Sequence, residues 1–204
     1  MSPSRPVALA LFLGCCLLAP SLARATSLPQ AASLGPDLGM SGVGYAWNWS
    51  GSSRYFGDTA RGPSLRLGWN FGNGLYVVGR AGRLLFRNRN ERLEDASLGV
   101  GFVTDPTGQA AAYVEADYVR ADLTGIPSGA HEYYWRFVYG VRQDLGGPFV
   151  AGLRLDSEVN QHWAPHGLGG RISLAAGFSP FTIGVAWSHD LDVNAEQAFL
   201  RVSF

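Results

Sequence analysis

Large apolar side chains occupy every second position in a series of short segments that runs to the end of the chain. Residues 133–142 show it most clearly, because aromatic residues and a valine alternate there with tyrosine, arginine, valine and glycine. Successive residues of a β-strand point to opposite faces, so this period of two predicts strands and not helices. Ten such segments predict strands at residues 39–50, 62–71, 75–86, 92–103, 109–121, 131–142, 149–159, 168–178, 181–190 and 196–204.

The connections between the segments are of two alternating kinds. Tight connections with turn residues fall at 72–74, 105–108, 146–148 and 179–180. Mostly longer and more polar connections fall at 51–61, 87–91, 122–130, 160–167 and 191–195. Short turns at one end and longer loops at the other predict an all-β fold, a closed antiparallel up-and-down β-barrel. Ten strands are expected, or eight if two of the segments are loops.

The composition of the second face decides which face meets water. Alternation alone fits a soluble barrel with an apolar interior as well as a transmembrane barrel with an apolar exterior. Here the second face is rich in Gly, Ala and Ser with a few charges, which suits a crowded lumen better than a water-exposed surface. A near-neutral mixture of charges is what such an interior requires. The predicted lumen charges are Arg66, Asp95, Glu115, Asp117, Arg136, Arg142, Arg154, Asp156, Glu158, Arg171 and Arg201.

Adjacent hairpins are expected to bring some of these charges together. Folding at the loop near Gly125 places Glu115 or Asp117 opposite Arg136, and folding at the next turn places Arg136 near Arg154. We therefore expect an ion network at mid-height. It would act either as a proton or ion path or as a structural plug that holds the barrel closed.

Aromatic residues near both ends of the segments support a lipid-facing exterior. Two aromatic girdles around an apolar band are typical of a spanning barrel, and strands of about 9 to 11 residues cross the hydrocarbon. Closure of the barrel pairs every strand edge. This is needed because hydrocarbon offers no hydrogen-bond partner to an unpaired backbone group. The loop-end girdle is predicted to hold Trp47, Trp49, Tyr118, Tyr133, Trp135 and Trp187, and the turn-end girdle Trp69, Phe71, Phe102, Phe149, Phe178, Phe181 and Phe204.

The first 25 residues are predicted to be a cleaved secretory signal peptide. Arg5 precedes an apolar stretch that is too short for a spanning helix, and Ala23-Arg24-Ala25 forms a small-residue cleavage site. A buried helix or a lipoprotein signal is the alternative. Cleavage removes both cysteines and leaves fourteen arginines against sixteen acidic residues, so no nucleic-acid partner is expected. Residues 26–37 are then a short periplasmic lead, and residues 38–204 form the barrel.

The chain ends on an alternating strand, in which Leu200, Val202 and the terminal Phe204 share the apolar face. With the signal peptide and the even number of amphipathic strands, this end resembles the small outer-membrane β-barrel proteins of Gram-negative bacteria, of the OmpA-like or OmpX-like kind. The resemblance implies that these three residues are an assembly signal for the outer-membrane assembly machinery. It also implies location in the outer membrane, and we expect a monomer there.

Some barrels of this kind modify lipid A, so the four histidines are the candidates for a catalytic base. Ser188 and His189 are adjacent and thus lie on opposite faces of a strand, and Leu191 stands where the lipid A deacylase pattern has a serine. His162 and His166 flank a proline, which disfavours the helix that their spacing would need to bind a metal. We expect no catalytic residue, metal or cofactor.

Arginines concentrate at one rim of the predicted barrel. Their forked donors suit phosphate, which lipopolysaccharide displays at this height. The alternative is an ordinary solvated rim. The predicted contacts to lipopolysaccharide are Arg83, Arg87, Arg89 and Arg92, with Arg54, Arg61 and Arg120 near the same rim.

Together these patterns predict an integral, non-enzymatic outer-membrane barrel with a structural or surface-interaction role. The alternatives are a narrow channel for small solutes, a lipid A-modifying enzyme and a soluble periplasmic binding barrel. About eight strands give an interior that side chains can just fill, and ten strands leave only slightly more room.

Overall fold

The computed structural model describes residues 41–51, 59–88, 90–104, 110–125, 130–159, 168–190 and 193–203. The predicted signal peptide and periplasmic lead lie outside these residues. The regular structure of the described residues consists of strands β1 Gly42–Ser50, β2 Ala60–Asn70, β3 Leu75–Phe86, β4 Arg92–Val103, β5 Ala110–Thr124, β6 Ala130–Gly146, β7 Phe149–Val159, β8 Leu168–Phe178, β9 Phe181–Asp190 and β10 Val193–Ser203.

Each strand pairs antiparallel with its neighbours in sequence, and β10 pairs with β1 to close the barrel. The predicted fold class is therefore confirmed, with ten strands and not eight. In the described part of the chain, no helix is long and apolar enough to be a membrane span.

The strand ends differ from the prediction at both ends of the barrel. At the loop end β5 reaches 15 residues, because pairing continues from Asp122 opposite His131 to Leu123 opposite Ala130. At the turn end β6 reaches 17 residues, because pairing with β7 continues to Gly146 opposite Phe149. The predicted loop at 191–195 is also too long, since Val193 already pairs with Asp190. Polar residues extend these hairpins because backbone pairing does not need an apolar face.

On most strands the apolar face points outward. In β4 buried and exposed positions alternate along most of the strand, and the outward Leu98 and Ile172 of β8 are 71% and 61% exposed. This exterior does not fit the soluble binding barrel. The described members of both predicted aromatic girdles are exposed as well, from Trp47 and Trp49 at the loop end to Trp69 and Phe178 at the turn end.

Glycines let large side chains lie across the lumen wall. Tyr76 pairs in register with Gly101, Tyr113 with Gly140, and Phe199 with Gly184. A Cβ at Gly140 would lie 2.0 Å from Cζ of Tyr113, so the ring occupies the space that a side chain would need. The small residues of the inward face thus make room for neighbouring side chains.

Candidate functional site

All eleven charged residues predicted for the lumen lie there and are buried. The described lumen holds two more, Arg80 and Glu132, so seven arginines and six acidic residues are buried in total. The sequence did not predict Arg80 as a lumen residue, because it shares its face of β3 with Tyr76 and Val78. That face therefore looks apolar, like the lipid-facing faces of the other strands. Glu132 shares its face with Tyr134 and Arg136, a signal that could have identified it.

Four of these residues form a charge layer at mid-height, namely Arg80, Glu115, Asp117 and Arg136. Asp117 Oδ2 accepts hydrogen bonds from Nη1 of Arg80 at 2.6 Å and from Nη2 of Arg136 at 2.7 Å. Arg80 also contacts Glu115. Two hydroxyls extend the layer, because Tyr76 donates to Glu115 at 3.1 Å and Arg136 donates to Ser97 Oγ at 3.2 Å.

The charge layer lies between two apolar clusters. Asp117 and Arg136 are 0% exposed, so these charges are removed from bulk water. In so dry an environment only close ionic pairing offsets the cost of removing charges from water. The loop-end cluster contains Ala60, Leu84, Phe86, Leu93, Val119, Ala121, Leu123 and Tyr134. The turn-end cluster contains Tyr76, Val78, Val103, Ala111, Tyr113 and Val138.

A chain of polar side chains crosses the opposite wall. Arg171 donates to Gln197, Gln197 donates to Asn48 Oδ1 at 2.6 Å, and Asn48 donates to Ser64 Oγ at 2.8 Å. We call these four residues the polar chain. It joins strands β8, β10, β1 and β2 through hydrogen bonds between side chains, mostly neutral ones.

Strand β7 carries a separate ion pair. Arg154 Nε donates to Asp156 Oδ1 at 2.5 Å. The register places Arg154 opposite Gly140 and Arg136 opposite Glu158, so a carboxylate and not Arg154 faces Arg136 across the β6–β7 pair.

The arginines predicted to contact lipopolysaccharide are distributed over the loop end. Arg83 and Arg92 point outward and both lie near Glu94, at 2.5 Å and 3.6 Å respectively. Arg87 is exposed beyond β3, and Arg89 lies outside the described residues. Arg120 points outward on β5 and forms a bidentate pair with Asp122, at 2.9 Å and 3.2 Å.

The described histidines and Ser188 do not form a nucleophile and base pair. His189 is exposed and its Nδ1 lies 2.8 Å from Asn194 Oδ1, whereas Ser188 is half-buried and donates to the carbonyl of Ala195 at 3.4 Å. His131 packs edge-on against Tyr133. His162 and His166 lie outside the described residues, and the described ones contain no group of three or more potential metal ligands.

The last strand has the orientation expected of the predicted assembly signal. Leu200 is exposed on the exterior and Val202 is half-buried beside Val43 and Phe181. Phe204 lies outside the described residues. Recognition by the assembly machinery stays a prediction.

The sequence matches no family model and no curated protein. The fold is similar to solved structures. The NanC porin shares 8% identity, with a TM-score of 0.52 over 79% of this chain and 100% of that one. The translocator domain of the autotransporter NalP from Neisseria meningitidis shares 12% identity, with a TM-score of 0.48 over 98% of this chain and 97% of that one.

A closed antiparallel barrel with an apolar exterior, aromatic girdles at both ends and an ionic lumen defines an integral outer-membrane β-barrel protein. The protein is thus a small outer-membrane barrel. The finer resemblance to OmpA-like or OmpX-like members stays a prediction.

Proposed function

We propose that this barrel is a non-enzymatic envelope protein with a closed lumen, acting through its wall and through surface interactions at its loop end. The observation that carries the proposal is the position of the charge layer between two apolar clusters. Asp117 and Arg136 of that layer are 0% exposed. Packed interiors leave few voids as large as a water molecule, which favours a structural plug over an open path.

Planar bilayer recording tests this closed lumen. The full chain, with folding checked by heat-modifiable gel migration, is expected to give no open-channel steps. A porin inserted under the same conditions serves as the positive control. Regular unitary steps from folded protein would overturn the closed lumen.

A narrow channel for small solutes is the second candidate, favoured by the wall opposite the charge layer. Polar side chains line that wall from Glu158 through Asp156 to Arg154. Among the described residues, no apolar cluster covers the loop end of that wall. The shared fold with the NanC porin is compatible with this candidate. If unitary current steps occur, substitution of Arg154 by glutamine is expected to lower their anion selectivity, because it removes a positive charge from the path.

The absence of enzymatic activity has its own test. Lipid A extracted from cells with and without the protein is expected to give the same mass spectrum. Ser188 and His189 make separate contacts on opposite faces of β9, which supports this expectation. Loss or gain of an acyl chain that depends on the protein would contradict it.

A further inference from the structure

The exterior of the barrel carries a one-sided patch of arginines at its loop end. Arg61, Arg83, Arg92 and Arg120 lie on the neighbouring strands β2 to β5 and are exposed. The outward positions described on β7, β8 and β9 hold no arginine, aspartate or glutamate. The exposed arginines are thus concentrated on one side of the described exterior.

We propose that this arginine patch binds the phosphate groups of lipopolysaccharide in the outer leaflet. The patch lies on the lipid-facing exterior, and on β5 Arg120 lies two residues from Tyr118, a member of the loop-end aromatic girdle. Arg120 stands 5.9 Å from the ring centroid of Tyr133, which is one member of that girdle. Aromatic girdles mark the level of the headgroups, so the guanidinium groups lie where lipid phosphates lie.

Two carboxylates hold the guanidinium groups without neutralising them. Glu94 lies between Arg83 and Arg92, and Asp122 pairs with Arg120, so three arginines share two acidic partners and Arg61 adds a fourth positive charge. These contacts use Nε and Nη2, and the Nη1 groups of the three paired arginines donate to no other described residue. Their side chains are about half exposed, at 51%, 49% and 55%. The patch therefore keeps a net positive charge and oriented donors for a phosphate.

The wall below Arg83 and Arg92 suits an acyl chain. Toward the turn end, the outward positions of β3 and β4 hold the exposed apolar residues Val77, Leu98 and Val100. A phosphate held by the arginines and an acyl chain lying against this apolar wall would belong to one molecule. This favours a phosphorylated lipid over a free phosphate.

The test compares two sets of substitutions that alter the patch in opposite directions. Binding of the folded protein to purified lipopolysaccharide is measured in detergent. The variant R61Q/R83Q/R120Q is expected to bind about tenfold more weakly, since three exposed ionic contacts that are individually weak are lost together. The variant E94Q/D122N is expected to bind at least as tightly as the unmodified protein, because it removes competing carboxylates. His189→Gln on the far side is the control and should change nothing.

Two further arms identify the ligand. Lipopolysaccharide from which the lipid A phosphates have been removed should bind as weakly as R61Q/R83Q/R120Q binds the intact molecule. Millimolar inorganic phosphate should not displace intact lipopolysaccharide. The proposal is overturned by unchanged affinity in the triple arginine variant, by equal weakening in E94Q/D122N, or by indifference to dephosphorylation. Heat-modifiable migration of each variant separates these outcomes from a failure to fold.

Discussion

The two halves of the lumen bury charge in different ways. In the half lined by β2 to β6, Asp117 lies between Arg80 and Arg136, and apolar clusters cover this charge layer toward both ends. In the half lined by β7 to β10 and β1, Arg171 donates to the neutral amide of Gln197, and polar side chains continue to the loop end.

The difference shows two ways of stabilising ions inside a barrel. In the first half, close ionic pairing in a dry environment offsets desolvation, and the pairs depend on one another. In the second half, neutral hydrogen bonds provide part of the stabilisation, and each contributes only about 1 kcal/mol. Removing one partner in the first half should therefore lower the free energy of unfolding by a large amount, and removing one in the second half should lower it by a small amount.

The largest effect is expected from Asp117→Asn. The substitution keeps the shape of the side chain but leaves Arg80 and Arg136 without their shared carboxylate. Removing one partner of a buried ion pair costs about 3 to 5 kcal/mol, and the free energy of unfolding should fall by that amount. Urea unfolding in lipid vesicles, followed by tryptophan fluorescence, measures it.

Glu196→Gln is the matched control for this substitution. Glu196 is an exposed acid on β10, and losing its charge should change the free energy of unfolding by less than about 0.5 kcal/mol. If Asp117→Asn were as mild as this control, the charge layer would not stabilise the barrel and the contrast between the halves would disappear.

The sequence predicted the walls of the barrel better than the interior of the first half. Successive side chains of a strand point to opposite faces of the sheet, so alternation assigned the faces correctly. It thereby placed Asp117 and Arg136 in the lumen. It missed Arg80, because the rule that the apolar face is the outer face does not hold locally on β3. There the inward Tyr76, Val78 and Leu84 belong to the apolar clusters.

The partners within the lumen could be predicted only in part. Asp117 opposite Arg136 follows from the hairpin between β5 and β6, since both belong to adjacent strands. The contact of Arg80 with Asp117 spans two strands, and that of Arg171 with Gln197 passes over β9. Such contacts depend on how far long side chains reach across the curved wall of the barrel. The alternation of residues along the sequence gives no information on that reach.

Gly140→Ala tests the packing of the turn-end cluster and should have an intermediate effect. The new Cβ would lie 2.0 Å from Cζ of Tyr113, so the buried ring must move. Overpacking of this kind costs about 1 to 3 kcal/mol in the free energy of unfolding. Gly170→Ala is the control, because its Cβ would meet only Leu155 Cδ2, at 3.8 Å. Equal stability of the two variants would mean that the lumen is loosely packed.

The smallest effect is expected from Asn48→Ala in the polar chain. It removes the acceptor of Gln197 and the donor to Ser64 and to the carbonyl of Gly62. Neutral hydrogen bonds are at stake and no ion loses its only counter-charge, so the free energy of unfolding should fall by about 1 to 2 kcal/mol. Gln143→Ala, which removes an exposed amide, should cost less than about 0.5 kcal/mol in the same urea titration. A loss at Asn48 as large as that at Asp117 would show that the polar chain also fails as a unit, and the two halves would then bury charge in the same way.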